Sequence, residues 1–289
     1  MISNLSKDDL YSQIVMLRNV DSRAFIIVEG EDDLGALGPH IDAEVALIML
    51  GYGKVSALGA IELADSNSVA DVLGIIDRDW GGDVSPLHPS PNVAYTDYYD
   101  IGATLIFAST AVDRVVANLT SKVHREGHLR SLGDVKIGEL LLRVAAPLGA
   151  LRRVSVADSL ELHLRDFPVH EVIADSAGSV NLERLIRIAA SRSKRAKVTA
   201  EDISVIRSRV EVQLGETADP AHLCSGHDLV PALAYFMRQF WGAGRLSIKV
   251  LSGAIRAAVS CAELATTSLF KEVERWGAAR ALHIWTCPT

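Results

Sequence analysis

Four short apolar runs punctuate the first hundred residues: AFIIV (24–28), VALIML (45–50), VLGIID (72–77) and NVAY (92–95). Runs of this length with no alternation of polar residues predict strands covered on both faces, as in a parallel sheet. Between the second and third runs, KVSALGAIELADS (54–66) sets Val55, Leu58, Ile61, Leu63 and Ala64 at near-helical spacing and predicts a covering helix. The stretch GGDVSPLHPSP (81–91) holds three prolines and two glycines, so an irregular loop must leave the third strand.

From about residue 100 the pattern changes to amphipathic segments with little strand character. Helices are predicted over 101–119, 137–151, 181–190, 200–214, 229–241 and 247–276, the last open to a break. Thr199 with Asp202 forms a capping-box pair, Asn181 is placed to cap a helix, and Asp228 precedes LVPALAYF with Pro231 in a first turn. A soft boundary at SKVHREGHLRSLGD divides an α/β domain, 1–120, from a helical domain, 121–289. The fold class is therefore α/β: a parallel sheet flanked by helices, followed by a mostly α-helical region.

Composition narrows the function classes. The 289 residues, 49% of them hydrophobic, suffice for a sizeable core. No run approaches the roughly 20 apolar residues of a membrane span, and the acidic N-terminus lacks the apolar region of a signal peptide, which gives a cytoplasmic expectation with no membrane partner. Cys224, Cys261 and Cys287 are odd in number, far apart and without CxxC pairing, so neither a disulfide framework nor a zinc ribbon is expected. A formal charge of −7 argues against indiscriminate polyanion binding. Any nucleic-acid contact must be local.

The acids supply the chemistry. In an open parallel sheet, ligands bind beyond the carboxyl ends of the strands. Glu29, Asp32 and Asp33 follow the first strand, Asp77 and Asp79 close the third, and Asp97 and Asp100 follow the fourth. Adjacent strands lie about 4.8 Å apart, so carboxylates at their ends repel one another unless a cation neutralises them. Oxygen donors in that number suit Mg²⁺, or Mn²⁺, rather than zinc. The competing reading is a set of solvated turns, with EGEDD and Asp79 merely starting loops.

VEGEDD (28–33), GYGKV (51–55), VLGIIDRDW (72–80), AYTDYYDI (94–101) and GHDL (226–229) together resemble the TOPRIM-like family that includes the nuclease effector of the PARIS anti-phage system. The likeness to the overcoming-lysogenization-defect nucleases is more distant. It covers the first hundred residues and extends thinly beyond them. The resemblance implies a Mg²⁺-dependent nuclease cleaving DNA or RNA, tRNA included, that acts in phage defence and is restrained by a partner ATPase. It also implies Glu29 as general acid or base and Asp77 and Asp79 as metal ligands. Gly81 stands where many TOPRIM domains carry a third Asp, so metal holding leans on Asp33, Asp97 or Asp100. Gly102 stands where relatives often place a Glu. A catalytically idle TOPRIM fold serving as a binding or regulatory module is the alternative. A haloacid-dehalogenase reading of DRDWG fails because that motif wants Thr at Gly81 and lies on the first strand, and GEDDLGALG has the wrong glycine spacing for a dinucleotide loop.

Lys54, in a glycine-flanked turn, is placed either to meet a phosphate or to sit in solvent. The densest basic stretch, RLIRIAASRSKRAKVTAEDISVIRSR (184–209), offers Arg187, Arg192, Lys194, Arg195 and Lys197 as phosphate contacts, or as a dock for an acidic partner. His227 reads as a surface neighbour of a capping Asp228, and His124, His128 and His163 lack ligand spacing. Pairing of two copies through the Ala-rich final helix, giving a homodimer, stays open.

Overall fold

The structure is a computed structural model and describes residues 6–83, 85–194 and 198–287. In chain order, α1 (Lys7–Arg18) precedes β1 (Ala24–Val28), α2 (Glu31–Leu37), β2 (Ala46–Leu50), α3 (Lys54–Ser66), β3 (Val72–Ile76), β4 (Val93–Tyr95) and α4 (Ile101–Phe107). There follow α5 (Ala111–Leu119), α6 (Lys122–Ser131), α7 (Ile137–Ala157), α8 (Leu182–Arg192), α9 (Ala200–Glu216), α10 (Gly226–Gln239) and α11 (Ile248–Ala258). The chain ends with α12 (Cys261–Leu264) and α13 (Ser268–Ala278). It forms two compact units: residues 1–109 with 259–289, and residues 110–258. The expected division at residue 120 thus differs in its second half, because residues 259–289 belong to the first unit, with α13 packed against β4. No helix of the described residues is long and apolar enough to cross a membrane.

The sheet of the first unit is parallel, in the order β2-β1-β3-β4. Every residue of β1 and β3 is buried, which explains their uninterrupted apolar runs. On one face, Phe25, Ile27, Val72 and Ile76 share a core with Leu10 and Ile14 of α1 and Ala57, Ala60, Ile61 and Ala64 of α3. The α3 boundaries agree with expectation, and Ile61 and Ala64 are buried as expected, but Val55 is 86% exposed, Leu58 and Leu63 are only partly buried, and Ala57, Gly59 and Ala60 complete the buried face. They let the helix sit close: a Cβ at Gly74 of β3 would lie 2.2 Å from Ile61 Cδ1.

The chain leaves β1 toward β2 on one side, and β3 then returns to the other side of β1. A topological switch point therefore lies between the carboxyl ends of β1 and β3, where ligand crevices of open α/β sheets form. The turn after β2 is built for close approach. A Cβ at Gly51 would lie 2.6 Å from Ala57 Cβ and 3.0 Å from Val28 O, and Gly53 takes φ +101°. Its N–H donates to Glu29 O at 2.9 Å.

The second unit is helical. Its core is formed by α7 against α8, α9 and α10, with Leu140, Leu141, Val144, Leu185, Val210, Leu233 and Phe236 among its fully buried side chains. Thr199–Asp202 forms both bonds of its capping box and Asn181 caps α8. The helix expected over 101–119 is two, because the chain passes between units at 109–110 and Ser109 Oγ donates to Leu105 O, terminating α4. The supposed linker holds α6, capped by Ser121, with no fully buried residue to give it an apolar stripe. Ser225, not Asp228, caps α10, so that helix starts three residues early and Pro231 falls inside it. Asp228 is buried and accepts from Arg152 Nη2 at 2.8 Å. His128, half-buried on α6, packs against α10: Nδ1 accepts from Trp241 Nε1, Nε2 donates to Ser176 O, and the ring stacks on Phe240.

Candidate metal centre

The end of β1 and the end of β3 are joined by a side chain. Glu29 Oε1 accepts the Asp77 backbone N–H at 3.0 Å, crossing the switch point directly. Asp77 Oδ1 in turn accepts from Ile101 N at 3.1 Å, so this carboxyl touches the first turn of α4. Asp79, two residues on, adopts the left-handed conformation (φ +49°), and its N–H donates to Tyr99 O at 2.8 Å. Arg78 N donates to Thr96 Oγ1 and Arg78 Nε to Thr96 O, which pins the IIDRD turn against the end of β4.

Electrostatics mark these groups as unusual. Burial pushes the Glu29 carboxyl up to about 7, reinforced by Asp79 and Asp33 and opposed by the Asp77 amide and by Lys54. Asp77 is held well above the ordinary carboxylate range, first by burial and then by repulsion from Asp33, Asp100, Glu29 and Asp79. Five of the six expected ligands therefore act on one another: Glu29, Asp33, Asp77, Asp79 and Asp100. Asp33 and Asp100 are nearly buried and each also accepts a backbone N–H, from Gly30 at 2.8 Å and from Ala103 at 2.7 Å.

Asp97 is not of this set. Its Oδ1 accepts from Ser268 N at 2.7 Å and its Oδ2 from Leu269 N at 3.0 Å, so both oxygens cap α13. Sequence position alone grouped it with the others, because α13 arrives from 171 residues away.

Lys54 also differs from its expected place. It opens α3, and its ammonium donates to Asp77 O at 2.5 Å and to Asp79 Oδ2 at 2.6 Å, as a counter-ion within the cluster. Trp80, which ends the VLGIIDRDW motif, packs edge-on against Tyr99 with ring centroids 5.3 Å apart, and its buried indole N–H has no hydrogen-bond partner among the described residues.

The donors suit a hard divalent cation, being oxygens throughout. Among the described residues, no three of these carboxylates bring one oxygen each to within 4.8 Å of one another. Mg²⁺ does not require that, since it commonly takes one or two carboxylates and completes its octahedron with water and substrate phosphate oxygens. Asp77 and Asp79 past the end of β3, with Glu29 across the switch point, meet that smaller demand.

In the helical unit the basic stretch is partly consumed. Arg187 pairs with Glu183 at 2.7 Å, Arg207 with Glu211 at 2.9 Å and Arg209 with Asp158 at 2.8 Å. Arg192 Nη2 donates to Arg165 O and Asp166 O, and its guanidinium lies over Phe167. Lys194 is exposed, and Arg195 and Lys197 lie outside the described residues. Arg187 and Arg192 are thus held by these partners through some of their N–H groups, and the Arg187 charge is already offset by Glu183. No family model matches this chain, and no curated protein matches it.

Proposed function

We propose that the strand-end carboxylates bind Mg²⁺, or Mn²⁺, and that the protein is a TOPRIM-type nuclease hydrolysing phosphodiester bonds. The observation that carries this reading is the meeting of acids from two strand ends: Glu29 Oε1 accepts the Asp77 N–H across the switch point, and burial raises the metal-free Glu29 carboxyl to about 7. A general acid–base works best when its pKa lies near the operating pH. When bound, the cation would orient water and offset charge on the attacking and leaving oxygens. Asp77 and Asp79 are the residues that would hold it, with Glu29 beside them. Glu29 would then take a proton from the attacking water or return one to the leaving oxygen. Lys54 would shift its ammonium from Asp79 toward a substrate phosphate as carboxylate charge is neutralised. The sequence resemblance adds the expectations of a DNA or RNA substrate and of a partner ATPase that restrains the nuclease in phage defence.

Purified protein incubated with DNA or with tRNA, in Mg²⁺ or Mn²⁺, tests the reading. Cleavage is expected in the wild type and is lost in Glu29→Gln; intact polymers under every condition would defeat it. The Lys54 ammonium bound within the cluster favours a second reading, a TOPRIM-like module that binds a partner without turnover. That reading expects no cleavage with either metal.

A further inference from the structure

His40, Cys261 and Cys287 form a second cluster of metal-binding side chains, chemically unlike the first. His40 closes the 3-10 turn after α2, Cys261 opens α12, and Cys287 lies in the C-terminal segment, all within the α/β unit. Backbone pairing brings them together: Ile41 and Trp285 form an antiparallel bridge, Asp42 N donates to Ile284 O at 2.8 Å, and Thr286 N donates to His40 O at 2.8 Å. Cys261 and Cys287 are joined as a disulfide, which corrects the expectation of no disulfide; Cys224 is buried and not part of it. Separation by 26 residues gave no spacing signal.

The imidazole between the sulfurs is what a structural disulfide leaves unexplained. His40 Nδ1 lies 3.7 Å from Cys261 Sγ and 3.8 Å from Cys287 Sγ. A disulfide sulfur has no hydrogen to donate, so these contacts are weak Nδ1–H···S bonds in one tautomer and an Nδ1 lone pair facing two sulfurs in the other. Burial lowers the His40 pKa, favouring the neutral ring that offers this lone pair. With Zn–S near 2.3 Å and Zn–N near 2.0–2.1 Å, the N···S edge of a tetrahedral site is about 3.5–3.7 Å. Both N···S separations already stand close to that value.

The geometry points to a Zn²⁺ site in the reduced protein, held by His40 Nδ1 and the Cys261 and Cys287 thiolates. Imidazole and thiolate are ligands for zinc and not for Mg²⁺, so this site is distinct from the strand-end carboxylates. Among the described residues no fourth His, Cys, Asp or Glu joins the group, so a water takes the fourth position. The disulfide is the oxidised, metal-free form of the same site. A low-molecular-weight disulfide accepts two electrons from the two thiolates and leaves as two thiolates; the Cys261–Cys287 bond forms, and Zn²⁺ departs with its charge unchanged.

The test uses the full chain, reduced with a phosphine or left oxidised, then loaded with Zn²⁺ or Co²⁺ and freed of excess metal. The reduced protein should retain about one zinc per chain and the oxidised protein almost none. Cobalt should give a thiolate-to-metal charge-transfer band, which the carboxylate cluster cannot produce. His40→Gln should weaken zinc binding by about tenfold or more, and Cys224→Ser should leave it unchanged. Where Cys→Ser variants fail to fold, Cys287→His keeps three ligands and should retain cobalt with a weaker charge-transfer band. Reduced protein without zinc, cobalt spectra without thiolate bands, or unchanged affinity in a folded His40→Gln variant would each overturn the site.

Discussion

Glu29 and Asp97 both stand just past the ends of parallel strands, yet they have opposite physical roles. Asp97 gives each carboxylate oxygen a backbone N–H at the N-terminus of α13, where the helix dipole also favours negative charge. Glu29 accepts a single amide hydrogen in a half-buried site shared with Asp33 and Asp79, and its ionised form is costly. Asp97 stabilises the fold, and its charge is already met by two helix N–H groups. Glu29 stores unfavourable free energy that a divalent cation can release. What separates chemistry from structure here is the supply of hydrogen-bond donors and not the residue type or its place on the strand.

Replacing Glu29 by Gln gives the largest expected effect on that contrast. Loss of a general acid–base group lowers cleavage by about 10²–10⁴-fold. The same change should raise the metal-free melting temperature at pH 8, because the costly charge is gone. Asp97→Ala should do neither, and activity measured beside melting curves decides.

The pH dependence of stability comes next. The folded-state pKa of Glu29 is raised from 4.5 to about 7, so between these values the folded protein holds more protons than the unfolded chain. Its stabilising contribution is complete below about pH 4.5 and is lost as the pH rises through 7, a change of about 3 kcal/mol. Asp77 is raised as well and acts in the same direction. Asp21, lowered to about 2, keeps its stabilising contribution throughout this window and loses it only as the pH falls from about 4 toward 2. Urea denaturation of metal-free protein from pH 5 to pH 8 should show the decline, and Mg²⁺ should restore stability at pH 8 but not at pH 5. A flat profile would place the Glu29 carboxyl in the ordinary range.

Smaller effects sharpen the comparison. Asp97→Ala should cost about 1–2 kcal/mol through the lost cap on α13, while the melting-temperature response to Mg²⁺ stays intact. Lys54→Met removes a competing cation from Asp79 and should tighten Mg²⁺ binding by about fivefold, on the order of 1 kcal/mol for a partly exposed pair, measured by calorimetry. Arg187→Ala, which breaks an exposed pair one helical turn long, should change stability by less than about 0.5 kcal/mol.

Legibility followed the range of the interaction. β1 and α3 could be read to the residue because their signals are local: an apolar run, and glycines before a periodic segment. Glu29, Asp77 and Asp79 were legible because a parallel sheet brings the ends of its strands together. α1 escaped notice because only Leu10 and Ile14 of its twelve residues are fully buried, too few for a periodic stripe. The role of Asp97, the counter-ion role of Lys54 and the Cys261–Cys287 pair depend on partners far along the chain, and no spacing rule encodes them. Arg187 looked available because its pairing with Glu183 is invisible to a count of basic residues.

The α/β unit is written in two pieces, with residues 110–258 inserted between them. During synthesis, Glu29 and Asp77 emerge early, but α13, which takes both oxygens of Asp97, and Trp285, which stacks on Phe270, emerge only after the whole helical unit. A ribosome-bound fragment ending before residue 259 therefore lacks the helix that takes the Asp97 oxygens and the ring pair formed by Phe270 and Trp285. Activity of the proposed kind would be withheld from the nascent chain and would begin once the late segment has docked.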